Sequence, residues 1–285
     1  CEAVPNSVSV RCADDEPTNS RARCSPGYFV TTCVPGYYID TCSAGHVRRD
    51  QHGSDSSGGI QNRPSGWYLP QRSDTCTECV SQVGCAVRCA FCASGMEGVE
   101  RNLSRAEILE QALYLRREQG EFQRIVMMGM GEPLDNFDAV VASLRGLTHQ
   151  ALFDLSAKHL TVSTVGASPD RIRRLADLAP KVRLALSLHS ATLPLRAELI
   201  PSATSMPELT AALDYHAHKT RSGVMVEYLL IDGVNDRAED ADALAAFCAD
   251  RNAAAARVTP PLSRKEARAA AGYVNLIPFN PTEAG

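Results

Sequence analysis

No window of this 285-residue chain holds the roughly 18 consecutive apolar residues that a membrane-spanning helix requires, and the longest apolar run, Val224 to Ile231, is broken by Glu227. A soluble protein with no membrane association is therefore expected. A charged-then-apolar secretory leader is also missing, and the chain opens on Cys1 rather than Met, as a fragment or a processed product would. Nor is there an excess of one charge sign, since the formal net charge is only -4. That balance neither supports nor opposes nucleic-acid binding, because phosphate contacts need a local basic face and not a basic average. What is present is an ordinary globular composition, 44% hydrophobic and 22% charged, in a length that allows one large α/β domain or two smaller ones.

The cysteines separate into groups. Cys1, Cys12, Cys24, Cys33 and Cys42 lie at the front, Cys76, Cys79, Cys85, Cys89 and Cys92 follow close together, and Cys248 stands alone. Tight spacing beside enzyme-like segments, with no export signal, favours metal ligation for the second group over a disulfide framework. Cys248 sits in a helical period and reads as a small buried hydrophobe.

Residues 1–75 hold no sustained period and are rich in Ser, Gly, Pro, Asp and Arg, so an irregular, poorly ordered leader is expected there. From residue 76 to 285 apolar runs of strand length alternate with helical periods. The strand-like runs are Val80 to Gly84, Arg124 to Met128, Leu160 to Thr164, Val182 to Leu188, Val224 to Leu230 and Tyr273 to Phe279. Helix starts are legible between them. Ser104 with Glu107 forms a capping box before an inward face of Ile108, Leu109, Ala112 and Leu113, closed by Gly120. Asn136 is placed to cap a helix with Phe137, Val140, Val141 and Leu144 inward, Ser168-Pro169 opens one carrying Ile172, Leu175 and Ala176, and Ser205 with Glu208 caps another. A fifth helix runs from near Arg237 through Leu244 and Phe247. An Ala-rich insertion at 251–272, with Arg257, Arg264, Lys265 and Arg268, reads as a solvated loop rather than an RNA contact. The alternation predicts parallel strands joined by helical crossovers, hence a partial (βα)6 barrel, with a doubly wound open sheet as the alternative.

Each strand run ends in a polar or Gly-bearing segment: Gly84-Cys85, Gly129 to Pro133, Ser163 to Gly166, Ser187 to Ser190, Asp232 to Asp236, and Asn275 to Asn280. In a parallel barrel these loops share the carboxyl-terminal rim, where active sites are built. The most specific signal is C-x-x-x-C-x-x-C at Cys85, Cys89 and Cys92. Cubane clusters normally take four thiolates, so three leave one iron open. In radical S-adenosylmethionine (SAM) enzymes that iron binds the amino and carboxylate groups of SAM, and electron transfer into the sulfonium splits a C–S bond to give a 5′-deoxyadenosyl radical. The competing reading is a zinc site completed by Cys76 or Cys79. Gly131-Glu132-Pro133 offers a carboxylate and backbone carbonyls for the SAM ammonium group. Ser163, Ser187 and Asn275 are short polar groups suited to the ribose and carboxylate of a bound nucleoside, and His189 is either a proton shuttle or simply a satisfied histidine, its place in the Ser-Leu-His segment favouring a binding role.

Several segments recur in a fixed order: Cys79 to Cys85, Arg101-Asn102-Leu103, Met127 to Pro133, Thr161 to Gly166, Ser187-Leu188-His189, Glu227-Tyr228, Asp232 to Asp236 and Asn275 to Pro281. On these the chain resembles the RlmN/Cfr family of radical SAM RNA methyltransferases, which methylate adenine in 23S rRNA and, for RlmN, also in tRNA. The resemblance implies a [4Fe–4S] cluster on Cys85, Cys89 and Cys92, and SAM contacts from Gly131, Glu132, Ser163, Ser187, Leu188, His189 and Asn275. It also implies a relay in which a cysteine near the C-terminus carries the methyl group to an adenine carbon, and an upstream cysteine then releases the product by forming a disulfide. Cys79 is the candidate for that upstream cysteine, lying six positions before Cys85 where the family has seven, with Cys76 as the understudy. The methyl-carrying cysteine lies beyond the Asn-Leu-Ile-Pro-Phe-Asn segment in the family and is not found before Gly285, so the chain as written is not expected to complete catalysis. The family's N-terminal helical RNA-binding domain has no counterpart in residues 1–75. Implied partners are rRNA and tRNA and an electron donor such as flavodoxin or ferredoxin, for a monomer in the cytoplasm or an organelle. Two other readings remain: an inactive remnant binding RNA or metal, and a radical SAM enzyme with a protein or small-molecule substrate.

Overall fold

The structure, a computed structural model, describes residues 76–257 and 272–279 together with four short strands, β1 (Glu2–Ala3), β2 (Val10–Arg11), β3 (Ala22–Ser25) and β4 (Tyr28–Val30). The rest of the expected leader, and residues 258–271 of the expected 251–272 insertion with Arg264, Lys265 and Arg268, lie outside the described residues, whereas Arg257 is described.

The sheet that organises the molecule contains β5 (Cys76–Glu78), β8 (Arg124–Met127), β9 (Leu160–Thr164), β10 (Arg183–Ser187), β11 (Met225–Leu230) and β12 (Tyr273–Pro278). They pair in parallel in that order, and β4 with β3 continues the sheet past β12. A doubly wound sheet reverses its strand order at a switch point. Here the order runs one way from β5 to β12 and the two ends are not paired to each other, which is the partial barrel. The strands are covered on both sides, so β9, Leu-Thr-Val-Ser-Thr, is buried at every position.

Helices complete the crossovers: α1 (Arg105–Gln119), α2 (Phe137–Leu147), α3 (Pro169–Leu178), α4 (Leu193–Leu199), α5 (Met206–Thr220) and α6 (Ala238–Ala256). The Ser104–Glu107 capping box is formed in both directions, and Gly120 closes α1 at φ 84°. Ser205 caps α5 through the Glu208 N–H, and Pro169 opens α3 with Ile172, Leu175 and Ala176 buried. The outer face of the sheet and the inner faces of these helices make one core around Ile125, Met127, Val162, Leu184, Leu186, Val226 and Tyr228.

Several local expectations are corrected. The first barrel strand is Cys76–Glu78, whereas Gln82–Gly84 (β6) leaves the sheet and pairs antiparallel with Val99–Asn102 (β7). The chain follows β8 only a little further, with the Cys79 N–H on the Val126 carbonyl and the Ser81 N–H on the Met130 carbonyl. At Val80 the Gln111 amide takes over both backbone groups, at 2.9 and 3.2 Å, so no neighbouring strand can claim them. Leu113 points outward at 60% exposure, and Leu115 completes the buried i, i+4, i+7 stripe with Ile108 and Ala112. Asn136 does not cap α2 with its side chain but donates to the Ser81 and Leu103 carbonyls, tying β8's loop to the β6–β7 segment. Helix α6 runs on to Ala256, into the start of the expected insertion.

Candidate active site

The cysteine loop begins where β6 turns away from the sheet. Gly84 has φ +76°, and a Cβ there would sit 2.0 Å from the Gly98 carbonyl oxygen, so only glycine lets the chain enter the loop. The Cys85 N–H donates to that same carbonyl at 3.0 Å. Backbone N–H groups of Val87 and Arg88 point at the Cys85 thiol, while burial and the neighbouring Cys92 and Glu132 push its pKa upward. Cys89 is pushed up to about 12, first by burial, then by the charges of Cys92, Cys85 and Glu132. The three thiols thus lie within electrostatic reach of one another, and Cys85 and Cys89 within reach of Glu132. The loop is pinned to the barrel by the Ala90 N–H on the Leu199 carbonyl, and Phe91 meets the His189 ring edge-on at 4.6 Å.

Glu132 is buried in the loop after β8 and joins three strand ends. Its Oε1 accepts from the Leu134 N–H at 3.1 Å and its Oε2 from the Val165 N–H at 3.0 Å, while its own N–H donates to Gln82 Oε1 at 2.8 Å. Burial raises its pKa to about 7 against these hydrogen bonds. Gly131 beside it has φ +96°, and a Cβ there would meet Gln82 Cβ at 2.7 Å.

Across the inner face of the sheet runs a row of polar side chains. The Ser163 and Ser187 hydroxyls are 3.3 Å apart, Ser187 is in register with Glu227, and Glu227 with Asn275. The Asn275 Nδ2 donates to Glu227 Oε2 at 2.7 Å. Leu188 is fully buried and its N–H caps the Glu227 carbonyl at 3.0 Å. His189 follows at φ 56°, with Nδ1 accepting from the Leu229 N–H at 2.9 Å. Burial and Arg196 hold its pKa down to about 3, so it is a neutral ring with its remaining proton on Nε2. A neutral buried ring does not suit a proton shuttle at neutral pH and fits a satisfied histidine or a fixed donor.

Cys79 lies just past β5, buried in the core, with a thiol raised to about 12 by burial and by Glu78. Cys76 is disulfide-bonded, whereas Cys79, Cys85, Cys89, Cys92 and Cys248 are free thiols. Cys248 packs on the helix side in the apolar cluster, as its helical period indicated.

Sequence reading missed three side chains that hold the rim together. Arg196 on α4 is fully buried and donates to the Leu188 carbonyl at 2.7 Å, to the Ser187 carbonyl at 3.2 Å and to the Val165 carbonyl, clamping the ends of β9 and β10. It is also the cation that opposes the rise in the Cys89 pKa. Asn235 donates to the His189 and Leu229 carbonyls at 2.8 and 2.6 Å. Gln82 bridges Glu132 and Asn102. Helix α4 is short and opens on no side-chain cap, so nothing in the local pattern marks its arginine as buried.

The donor set fits a cubane cluster. Among the described residues no three His, Cys, Asp or Glu side chains are already gathered around a single metal position. In a cubane each thiolate takes its own iron, so the sulfurs stand apart around a shared body. Buried thiols that resist ionisation, with N–H groups aimed at sulfur, are relieved by such a cationic partner. Glu132 and the Ser163, Ser187 and Asn275 row, at the ends of neighbouring strands, fit the amino acid and ribose parts of SAM.

Comparison with known proteins bears on the family and the fold. The Radical SAM superfamily model matches residues 79–245. The probable dual-specificity RNA methyltransferase RlmN of Frankia alni is 46% identical over 224 residues, covering 74% of this chain and 49% of that protein. Its counterpart from Thermotoga maritima is 39% identical over 216 residues, with 74% and 57% covered. The chain thus spans about half the length of the curated relatives it matches. A crystal structure of a radical SAM methyltransferase from Sphaerobacter thermophilus superposes with a TM-score of 0.64 at 38% identity, covering 76% of this chain and 60% of that one. HydG, a maturase of the [FeFe]-hydrogenase, shares the fold alone, with a TM-score of 0.52 at 12% identity over 73% of this chain and 44% of its own.

Proposed function

The chain belongs to the radical SAM superfamily, and from that premise we propose that it is the core of an RlmN-type methyltransferase acting on an adenine carbon of 23S rRNA and of tRNA. One observation carries this reading: the three-cysteine loop, Glu132 and the Ser163–Ser187–Asn275 row meet at one rim, in a chain whose curated relatives are named as RNA methyltransferases. When bound, the cluster and SAM supply one-electron reductive cleavage of a C–S bond, the chemistry needed to functionalise a ring carbon that ordinary methyl transfer does not reach.

The residues divide the remaining work. Cys85, Cys89 and Cys92 hold the cluster through their sulfurs. Glu132 and the backbone around Gly131 receive the amino group of SAM, and the serine and asparagine row orients its ribose. Leu188 closes the inner wall, and His189 offers Nε2–H while Leu229 fixes its ring. Arg196 keeps the two central strand ends in place. Cys79 keeps its proton on Sγ at neutral pH until it acts; losing that proton, its sulfur would attack the sulfur of a methyl-bearing cysteine, so that the S–S bond forms as the S–C bond to the product carbon breaks and that carbon takes up a proton. A flavodoxin or ferredoxin is the electron donor in this scheme, and the enzyme works as a monomer in the cytoplasm or an organelle. Among the described residues no helix is long and apolar enough to cross a membrane.

The test is anaerobic reconstitution of the full-length protein with iron and sulfide, followed by incubation with SAM, reductant and either rRNA or tRNA fragments. Mass spectrometry of digested nucleosides should find carbon-methylated adenosine. Cleavage of SAM that leaves every adenosine unmodified in both RNAs would defeat the proposal.

A further inference from the structure

Glu227 is the residue that breaks the longest apolar run of the sequence, and it is 1% exposed on the inner face of β11. Its cross-strand partners are Ser187 on β10 and Asn275 on β12. Partners directly opposite in a parallel sheet share a face, so Glu227 lies in the middle of the polar row. Its Oε2 is taken by Asn275 at 2.7 Å, but its Oε1 is buried and has no hydrogen-bond partner. Buried polar oxygens are almost always paired, so an orphan one calls for a partner such as an ordered water, an ion or a ligand, or else stores strain. Burial raises the carboxyl pKa to about 8, with only the Asn275 amide opposing, so nothing in its surroundings compensates a bare negative charge.

Those facts select among the donors a ligand can bring. An ammonium group requires the ionised carboxylate, which burial disfavours here. A hydroxyl donates to a carboxylate or carbonyl oxygen and accepts from a protonated carboxyl, so it satisfies Oε1 in either state. We infer that Glu227 is a cofactor-binding residue whose Oε1 takes a ribose hydroxyl of SAM, completing the row formed by Ser163, Ser187 and Asn275. The inference rests on the SAM-binding part of the function proposed above and adds to it a residue with a stated subsite. Glu227 also holds the Asn275 amide, so it fixes a second contact to the same nucleoside.

The test is equilibrium binding to the anaerobically reconstituted protein, with S-adenosylhomocysteine and its 2′-deoxy and 3′-deoxy analogues as probes. Wild-type protein should bind one of the deoxy analogues about tenfold more weakly than the parent compound. Glu227→Met should weaken the parent about tenfold or more and leave that analogue's affinity nearly unchanged, whereas Glu227→Gln, which keeps both hydrogen bonds, should stay within about threefold of wild type. If Glu227→Met fails to take up its cluster, Glu227→Asp, which withdraws the carboxyl by one methylene, serves in the same comparison. Equal losses for the parent and both analogues, or no loss at all, would overturn the inference. Where Ser187→Ala weakens binding and the Glu227 variants do not, only the inference falls; if wild-type protein binds none of the probes, the proposed function falls with it.

Discussion

At the residue scale, the site is held by buried polar side chains whose hydrogen bonds run to backbone groups of distant strands. Arg196 is the extreme case: a buried guanidinium whose two terminal nitrogens serve carbonyls of three residues. Replacing it by an apolar side chain of similar length removes every one of those donors at once, and each buried acceptor left unpaired costs roughly 1–3 kcal/mol. Arg196→Met is therefore expected to lower unfolding free energy by about 3 kcal/mol or more, measured by urea denaturation of the metal-free protein. A loss below about 1 kcal/mol would mean that the clamp is dispensable. Glu132 differs in kind, because its two oxygens are satisfied by the Leu134 and Val165 N–H groups while it remains close to the cysteine loop, placing it between structure and chemistry.

Elements are where sequence and structure agree best, and their disagreements have physical causes. The capping boxes at Ser104 and Ser205 and the proline at the start of α3 were legible because they are local, using residues within one turn of each other. The parallel strands were legible because burial on both faces leaves continuous apolar runs. Val80 to Gly84 misled through its two valines, Val80 and Val83, which flank the polar Ser81 and Gln82; a glutamine from α1 occupies the ladder groups of Val80. The strand that does start the barrel, Cys-Thr-Glu, carries polar residues and shows no such run. Gln82, Asn235 and Arg196 escaped notice, and Asn136 was read only as a helix cap, because long-range side-chain bonds leave no period, whereas Glu227 did leave a mark as a charge inside an apolar run. The corrected inward face of α1 gives a direct check. Leu115→Ala should cost about 2–5 kcal/mol, and Leu113→Lys should fall within about 0.5 kcal/mol of wild type. Thermal denaturation of the two variants side by side decides it, since the reverse order would restore the face read from the sequence.

For the whole molecule, the buried ionisable groups set how stability responds to pH in the metal-free state. His189 and His216 have folded pKa values near 3 and 4, below the ordinary 6.5. They bind fewer protons folded than unfolded, so their contribution is lost as pH falls from about 6.5 toward those values. Glu132 and Glu227 are displaced the other way, to about 7 and about 8 from 4.5. They bind more protons folded than unfolded, so stability falls as pH rises from about 4.5 through those values. The two trends oppose each other up to about pH 6.5, and above it only the carboxyl trend remains. The urea midpoint of the metal-free protein should accordingly decline between about pH 6.5 and 8; a midpoint that climbs over that interval would contradict the burial of both carboxyls. The same arrangement explains where binding acts, because a cluster and a cofactor bring cationic and hydrogen-bonding partners to the groups that burial leaves costly.

Everything functional depends on Cys85, Cys89 and Cys92 acting together on one cluster while leaving one iron open. The most direct measurement is the iron and sulfide content of anaerobically reconstituted protein and of single-cysteine variants, read together with the electron paramagnetic resonance spectrum of the reduced protein before and after adding SAM. Wild-type protein, Cys79→Ala and Cys248→Ala should each carry a full [4Fe–4S] complement whose spectrum changes with SAM, and alanine at any of the three loop cysteines should abolish it. A full cluster retained after loss of a loop cysteine, or a wild-type spectrum indifferent to SAM, would contradict the account.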